Sequence, residues 1–195
     1  KIIRGRYEQW KHSKTNKYST LIHYLQLVEG HDDNACKAAI KALWTADGKR
    51  ASEEGTAMHA DFEAIVNGLP PPQGNTKEVG LFRKWLSDFC RHFDVEPFRS
   101  EMIVYYLHND TVLVAGQVDL VLKSKTGETF YCVDYKRKDP APKYAGCAMQ
   151  LLGVGQSATS SFGNEEGTGP FEGVAATDFY KYSVQQNIYG HIAAK

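Results

Sequence analysis

The sequence predicts an α/β fold in which helices come first, three strands follow and one helix closes the chain. Apolar residues recur at helical spacing through the first third, and runs of alternating apolar and β-branched residues follow between residues 98 and 136. A chain of 195 residues with 42% hydrophobic content can build one sizeable core. We therefore expect a single domain over residues 1–195, with a helical N-terminal extension (1–50) and a core (51–195).

Four helices are predicted before the first strand, at residues 18–29, 33–44, 52–67 and 76–93. Ser52, followed by two glutamates, favours a helix start, and Gly68 with the prolines at 70–72 favours a stop. The fourth helix should direct one apolar set toward the core: Leu81, Phe82, Trp85, Leu86 and Phe89.

Three strands are predicted at residues 98–107, 111–123 and 129–136, and a closing helix at 177–194. The tripeptide at residues 108–110 (HND) suits a tight turn, and the glycine-containing segment at 125–128 (KTGE) suits a second hairpin turn. Between residues 138 and 177, the spacing predicts a short helix at 145–152 and a glycine-rich loop at 153–173. Because long loops in compact domains are often functional, we expect this loop to border a binding groove.

The second and third predicted strands carry charged side chains among apolar neighbours. Asp119 lies within GQVDLVL (residues 116–122), and Asp134 and Lys136 lie within FYCVDYK (residues 130–136). Strand alternation puts Asp134 and Lys136 on one face, and a hairpin would place Asp119 beside Asp134. Burying these carboxylates together is costly unless a cation joins them, and oxygen ligands favour Mg²⁺ or Mn²⁺. The alternative is a surface contact between Asp134 and Lys136 on an edge strand, with Asp119 solvated; the D-x-K pattern by itself leaves both open.

Other motifs occur around these strands in a particular order. GTAMHADFE (residues 55–63) precedes them, Glu101 opens the first strand, and QQNIY (residues 185–189) follows them. From residue 55 to residue 189 the chain resembles the PD-(D/E)XK nuclease superfamily, in the branch of RecB-type and phage lambda-type exonucleases. That branch carries a G-T-x-x-H-x-x-x-E helix, a G-x-x-D strand, a D/E-x-K strand and a Q-x-x-x-Y helix. The resemblance implies a restriction-endonuclease-like core, with a central mixed β-sheet flanked by helices.

The resemblance also implies roles for individual residues. Asp119, Asp134 and Lys136 would be catalytic, with Lys136 as the catalytic lysine. The metal ligands would be His59, Asp119, Asp134 and the backbone carbonyl of Tyr135, with Glu101 as a further candidate. Val118 precedes Asp119 where the family often has proline, a departure that is common in this branch.

Four residues are expected to contact the substrate: Gln185, Tyr189, Thr56 and Arg137. Gln185 and Tyr189 match the Q-x-x-x-Y helix, and Arg137 belongs to a basic run that follows the catalytic strand. Structural alternatives exist for several candidates. His59 and Glu63 have the spacing of a local helical pair, Glu101 can be a strand-end charge, and Gln185 and Tyr189 can belong to a packing stripe with Tyr182.

The function implied is metal-dependent hydrolysis of DNA phosphodiester bonds with one or two Mg²⁺ or Mn²⁺ ions. Exonuclease action on ends or single strands in repair, recombination or replication is expected from the branch. A sequence-independent endonuclease acting on DNA or RNA, and a catalytically inactive nucleic-acid-binding module, are the alternatives.

Composition sets looser limits on partners. The 23 basic and 23 acidic residues cancel, so no overall basic field attracts nucleic acid, although bound metal would neutralise phosphate locally. Cys36, Cys90, Cys132 and Cys147 form no C-x-x-C pair, and we predict no iron–sulfur cluster and reduced thiols in an intracellular protein. No apolar run has membrane length, so no membrane partner is expected. The resemblance implies DNA, as single strands or duplex ends, as the partner. Assembly within a larger protein or as a homo-oligomer stays open.

Overall fold

A computed structural model describes residues 2–137, 166–174 and 178–194 of the chain. The chain divides into two compact units, residues 1–56 and 57–195. The predicted helix at 145–152 and most of the predicted loop at 153–173 lie outside the described residues; residues 169–171 of that loop form a short 3₁₀ turn.

The first unit is helical. It contains α1 (Ile2–Lys11), α2 (Lys17–Leu27) and the beginning of α3 (Asp33–Val66). Asn16 caps α2 by accepting a hydrogen bond from the Tyr18 N–H at 2.8 Å. A compact apolar cluster forms the core of this unit: Tyr7, Trp10, Ile22, Leu25, Cys36 and Ile40.

The prediction of two helices at 33–44 and 52–67 is wrong, because α3 is one helix of 34 residues. The intervening residues 45–51 contain a single glycine, Gly48, and four good helix formers, Ala46, Lys49, Arg50 and Ala51. One such glycine costs only about 1 kcal/mol. Two charge pairs at helical spacing also cross this segment, Arg50–Asp47 at 3.1 Å and Lys49–Glu53 at 3.7 Å. The start signal at Ser52 therefore lies inside a continuous helix.

The second unit contains the helix α4 (Lys77–Phe93), which begins one residue after the predicted start at 76 and ends at the predicted residue. Thr76 caps it by accepting a hydrogen bond from the Val79 N–H at 3.2 Å. Phe82 is buried as predicted, but Leu81 is 59% exposed, so its predicted core position is wrong. At 3.6 residues per turn Leu81 lies about 100° around the helix from Phe82, outside the apolar stripe.

The predicted strands form one antiparallel sheet in the order β1-β2-β3: β1 (Val95–His108), β2 (Thr111–Ser124) and β3 (Phe130–Val133). Asn109 and Asp110 make the first turn with φ of 48° and 60°, as a two-residue hairpin turn requires. All pairings between the described strands are antiparallel, whereas a mixed sheet was expected. β3 also ends at Val133, three residues before the predicted end at 136.

Strand register brings the candidate residues together. Leu120 pairs with Val133, so the same register places Asp119 opposite Asp134 beyond the end of β3. On the other side, Ser100 pairs with Leu120 and Met102 with Val118, which places Glu101 opposite Asp119.

The centre of β2 is covered from two sides, and every residue from 118 to 122 is buried. Leu120 and Leu122 pack with α4 side chains, including Trp85 and Phe89. Val118 and Val121 pack instead with Tyr189 and Ile192 of the closing helix, α5 (Asp178–Ala193), which agrees with the predicted helix at 177–194. A strand that is apolar on both faces is held firmly, and this strand carries Asp119.

Among the helices in the described ranges, none combines the length and the apolar content that crossing a membrane would require.

We expect Gly116→Ala to lower the free energy of unfolding by about 1–3 kcal/mol, because a Cβ at this position would overlap the ring of Tyr189 and push α5 away from β2. Gly80→Ala is the matched control, since a Cβ there meets no atom within 4 Å and α4 should gain about 0.5–1 kcal/mol. Urea unfolding of both variants measures the difference, and equal stability for the two would contradict this packing.

Candidate metal centre

Three different elements of the second unit bring one nitrogen and two oxygen ligands together. His59 comes from α3, Glu101 from β1 and Asp119 from β2. The His59 Nδ1 atom lies 3.4 Å from Glu101 Oε1 and 3.6 Å from Asp119 Oδ1. One ligand atom from each residue lies within 4.8 Å of the others, so a single divalent ion can be shared by all three.

Asp119 is the most enclosed member of this cluster, with a side chain only 9% exposed. Its Oδ2 atom accepts a 2.5 Å hydrogen bond from the Tyr135 backbone N–H. Burial raises the pKa of the Asp119 carboxyl to about 6, and the nearby carboxylates of Asp134 and Glu101 add to the increase. The hydrogen bond from the Tyr135 N–H and the nearby His59 ring act in the opposite direction and lower this pKa. The alternative of a solvated Asp119 is therefore wrong.

Glu101 occupies an unusual backbone conformation for a strand residue. Its φ is 48°, in the left-handed region that non-glycine residues rarely adopt. Its carbonyl accepts a 3.4 Å hydrogen bond from the Gln117 side-chain amide on β2. Backbone strain of this kind is concentrated at functional sites, and here it accompanies a carboxylate that faces His59.

Asp134 and Lys136 form a separate contact beside the three-residue cluster. The Lys136 Nζ atom pairs with Asp134 Oδ2, and the lysine also lies 5.0 Å from the centroid of the Tyr182 ring on α5. The Asp134 side chain is only 9% exposed, so this pair is not a surface contact. Asp134 thus neighbours the cluster without joining it, and its predicted role as a metal ligand stays a prediction.

The Tyr135 side chain supports the cluster from the core side. Its ring makes edge contacts with Phe62, Phe82 and His59, at centroid distances of 5.0, 5.3 and 5.7 Å. Its hydroxyl is buried without a hydrogen-bond partner among the described residues, and burial raises its pKa, with Asp119 and Glu101 adding to the increase. The sequence analysis named only the backbone carbonyl of Tyr135, as a metal ligand, and that role stays a prediction. The packing role of the ring was not predicted, and its aromatic character was the only feature of the sequence that could have indicated it.

The expected substrate-binding residues have local partners. The Gln185 side-chain amide donates to the Tyr189 hydroxyl at 3.0 Å on the same face of α5. Arg137 Nε lies 3.8 Å from Glu78 Oε1. Thr56 belongs to the first unit, where its hydroxyl donates to the Ser52 carbonyl at 3.0 Å.

Tyr182 was not among the predicted site residues. Its position three residues before Gln185 put it in the expected packing stripe of the last helix, and that stripe was the signal that could have indicated it. Which lysine the ring would meet depends on how α5 crosses the sheet, so sequence spacing could not supply it.

The donor set fits a divalent metal ion. Two carboxylates and one imidazole supply hard oxygen ligands and one nitrogen, a combination suited to Mn²⁺ and accessible to Mg²⁺. A cation would also stabilise the ionised form of Asp119, whose pKa is raised mainly by burial and further by the neighbouring carboxylates of Asp134 and Glu101.

Comparisons with protein-family models, curated proteins and solved structures found no match to this chain.

Ionisation of Asp119 should make the metal-free protein less stable as pH rises. The carboxyl has a pKa of about 6 in the folded protein, against an ordinary value of 3.8 for an exposed aspartate, so the folded state binds the proton more tightly and loses that advantage between pH 4 and pH 6. The difference of about two pKa units corresponds to about 3 kcal/mol. We expect the stability of the unmodified chain relative to Asp119→Asn to fall by up to this amount between pH 4 and pH 7, measured by urea unfolding in EDTA. A constant difference across that range would contradict the raised pKa.

The left-handed backbone at Glu101 predicts an unusual order of stability for two variants that both lack the carboxylate. We expect Glu101→Gly to be more stable than Glu101→Ala by about 1 kcal/mol, because glycine adopts a positive φ without steric cost. At Met102, which has no such φ, the same pair should show the opposite order. Thermal unfolding distinguishes the two outcomes, and alanine being favoured at both positions would refute the strain at Glu101.

Proposed function

We propose that this protein is a metal-dependent nuclease that hydrolyses DNA phosphodiester bonds in the manner of the PD-(D/E)XK enzymes. One observation carries the proposal. Residues that the motif order selected, far apart in sequence, converge at one place: His59, Glu101 and Asp119 share a cluster, and Asp134 with Lys136 lies beside it.

The proposed roles follow from the contacts. His59, Glu101 and Asp119 would hold an Mg²⁺ or Mn²⁺ ion, which would supply activation of a water molecule and compensation of charge on the phosphate. Lys136 orients the attacking water and stabilises the negative charge that develops on the phosphate oxygens. Asp134 holds the lysine ammonium through their ion pair. Its carboxylate lies near that of Asp119, so we propose it as a further oxygen ligand if a second ion binds.

The imidazole in the donor set supports a metal preference. Mg²⁺ prefers oxygen ligands and keeps much of its water, whereas transition metals accept an imidazole nitrogen more readily. We propose tighter binding of Mn²⁺, with Mg²⁺ as the alternative cofactor.

DNA ends or single strands are the proposed substrate, and the order of motifs supports this choice. The chain has no net charge, so attraction to the phosphate backbone would depend on the metal and on local cations such as Arg137. Gln185 and Tyr189 on α5 are proposed to contact the bound strand.

Cleavage of end-labelled single- and double-stranded DNA and RNA, with Mn²⁺, Mg²⁺ or EDTA, tests the proposal. Lys136→Met should lower kcat by about 100-fold or more while leaving Mn²⁺ affinity within about 3-fold, because the lysine acts on charge developed in the reaction. Asp119→Asn should lower both cleavage and Mn²⁺ affinity, measured by calorimetry. Lys125→Met is the matched control and should leave cleavage unchanged. Lys125 lies in the turn of the second hairpin, where it forms an exposed ion pair with Asp94.

The products separate the remaining alternatives. Release of mononucleotides or short oligonucleotides from the ends identifies an exonuclease, and fragments cut at internal positions identify an endonuclease. Metal-independent oligonucleotide binding without cleavage would overturn the enzymatic proposal in favour of an inactive binding module. Equal cleavage by Lys136→Met and by the unmodified chain would refute the assigned chemistry.

A further inference from the structure

Lys136 is held from two directions. Its Nζ atom pairs with Asp134, two residues away in the same segment, and it also lies 5.0 Å from the centroid of the Tyr182 ring on α5. The lysine side chain is 31% exposed, against 9% for its carboxylate partner. The ammonium therefore lies at the boundary between the buried acids and solvent, where a reacting phosphate would have to arrive.

The position of Tyr182 is set by the anchorage of α5 to the sheet. Tyr189, two helical turns further on, packs with Val118 and Val121 and lies so close to Gly116 that no side chain fits there. Tyr182 and Tyr189 are seven residues apart and share a helix face. The face of α5 that packs on β2 through Tyr189 therefore also carries the Tyr182 ring that contacts Lys136.

An ion pair to a neighbouring residue is a weak positional restraint for lysine. The side chain is flexible, and an ammonium is a point charge that can slide between acceptors. The face of an aromatic ring within about 6 Å attracts a cation by its quadrupole, which adds a second restraint from another element. Because this attraction needs the ring and not the hydroxyl, phenylalanine should preserve it and leucine should not.

We propose that Tyr182 is a positioning residue that holds the Lys136 ammonium at the candidate metal centre, independently of the Asp134 carboxylate. This inference rests on the proposed nuclease function for its catalytic consequence. The contact itself can be tested without activity, so failures of the two proposals can be told apart.

Kinetics of the full chain test the catalytic consequence. Tyr182→Leu should lower kcat for oligonucleotide cleavage by about 2- to 30-fold with KM unchanged, and Tyr182→Phe should restore it to within about 2-fold. In a Lys136→Met background, Tyr182→Leu should have no further effect, because the two residues act as one unit. Tyr105→Leu, at a 53% exposed position on β1, is the matched control and should leave kcat unchanged.

The NMR signal of the lysine side chain tests the contact directly. In protein carrying ¹³C-labelled lysine, the Lys136 Hε protons should be shifted upfield by the ring current, with the signal assigned by its loss in Lys136→Met. The shift should disappear in Tyr182→Leu and persist in Tyr182→Phe and Tyr105→Leu.

Each outcome decides one proposal. Cleavage by the unmodified chain with an equal kcat in Tyr182→Leu would overturn the role of Tyr182 and leave the nuclease proposal standing. Absence of cleavage under all metal conditions would overturn the nuclease proposal, and with it the catalytic consequence, while the lysine signal would still decide whether Tyr182 holds the ammonium. A Lys136 signal that is indifferent to Tyr182→Leu would refute the contact.

Discussion

The buried carboxylate of Asp119 is the constraint on which the rest of the candidate centre depends. Removing a carboxylate from water is costly, and two further acids, Glu101 of β1 and Asp134 just after β3, lie close enough to raise its pKa further. The Tyr135 N–H and the His59 ring offset part of this cost, yet the pKa of Asp119 remains raised to about 6. At neutral pH the protein therefore carries a concentrated negative charge that its own groups compensate incompletely. A divalent cation is the simplest addition that completes the balance.

The surrounding fold holds this costly arrangement in place. β2 is buried by α4 on one side and α5 on the other, so the strand that carries Asp119 cannot shift without losing apolar contacts on both faces. The Tyr135 ring adds a second restraint by packing against Phe62, Phe82 and His59. Hydrophobic packing of the second unit thus supplies the free energy that keeps the acids together, and the positive φ at Glu101 adds to the cost that this packing must exceed.

Two of the incorrect predictions share a physical origin, since each treated a local signal as decisive. Ser52 has the chemistry of a helix start, but neighbouring helix formers and charge pairs carried α3 straight through it. Leu81 is apolar and next to a buried phenylalanine, yet helix rotation turns it toward solvent. The helix predicted at 76–93 and the tight turn at Asn109 and Asp110 agree with the structure, because helix-start chemistry and positive φ depend on the residues present locally.

The sequence by itself indicated α2, α4, the three strands with their antiparallel hairpins, and α5, but neither α1 nor the continuity of α3. Hydrophobic periodicity and turn chemistry are local properties, and a hairpin register follows from them. It also indicated His59 and Glu101, through motif order, without showing that the two side chains meet. Only the tertiary structure decided that His59, Glu101 and Asp119 form one cluster, that Lys136 pairs with Asp134, and that Tyr182 lies over the lysine. These contacts join α3, the sheet and α5, and their distances depend on how whole elements pack, which residue spacing along a chain does not encode.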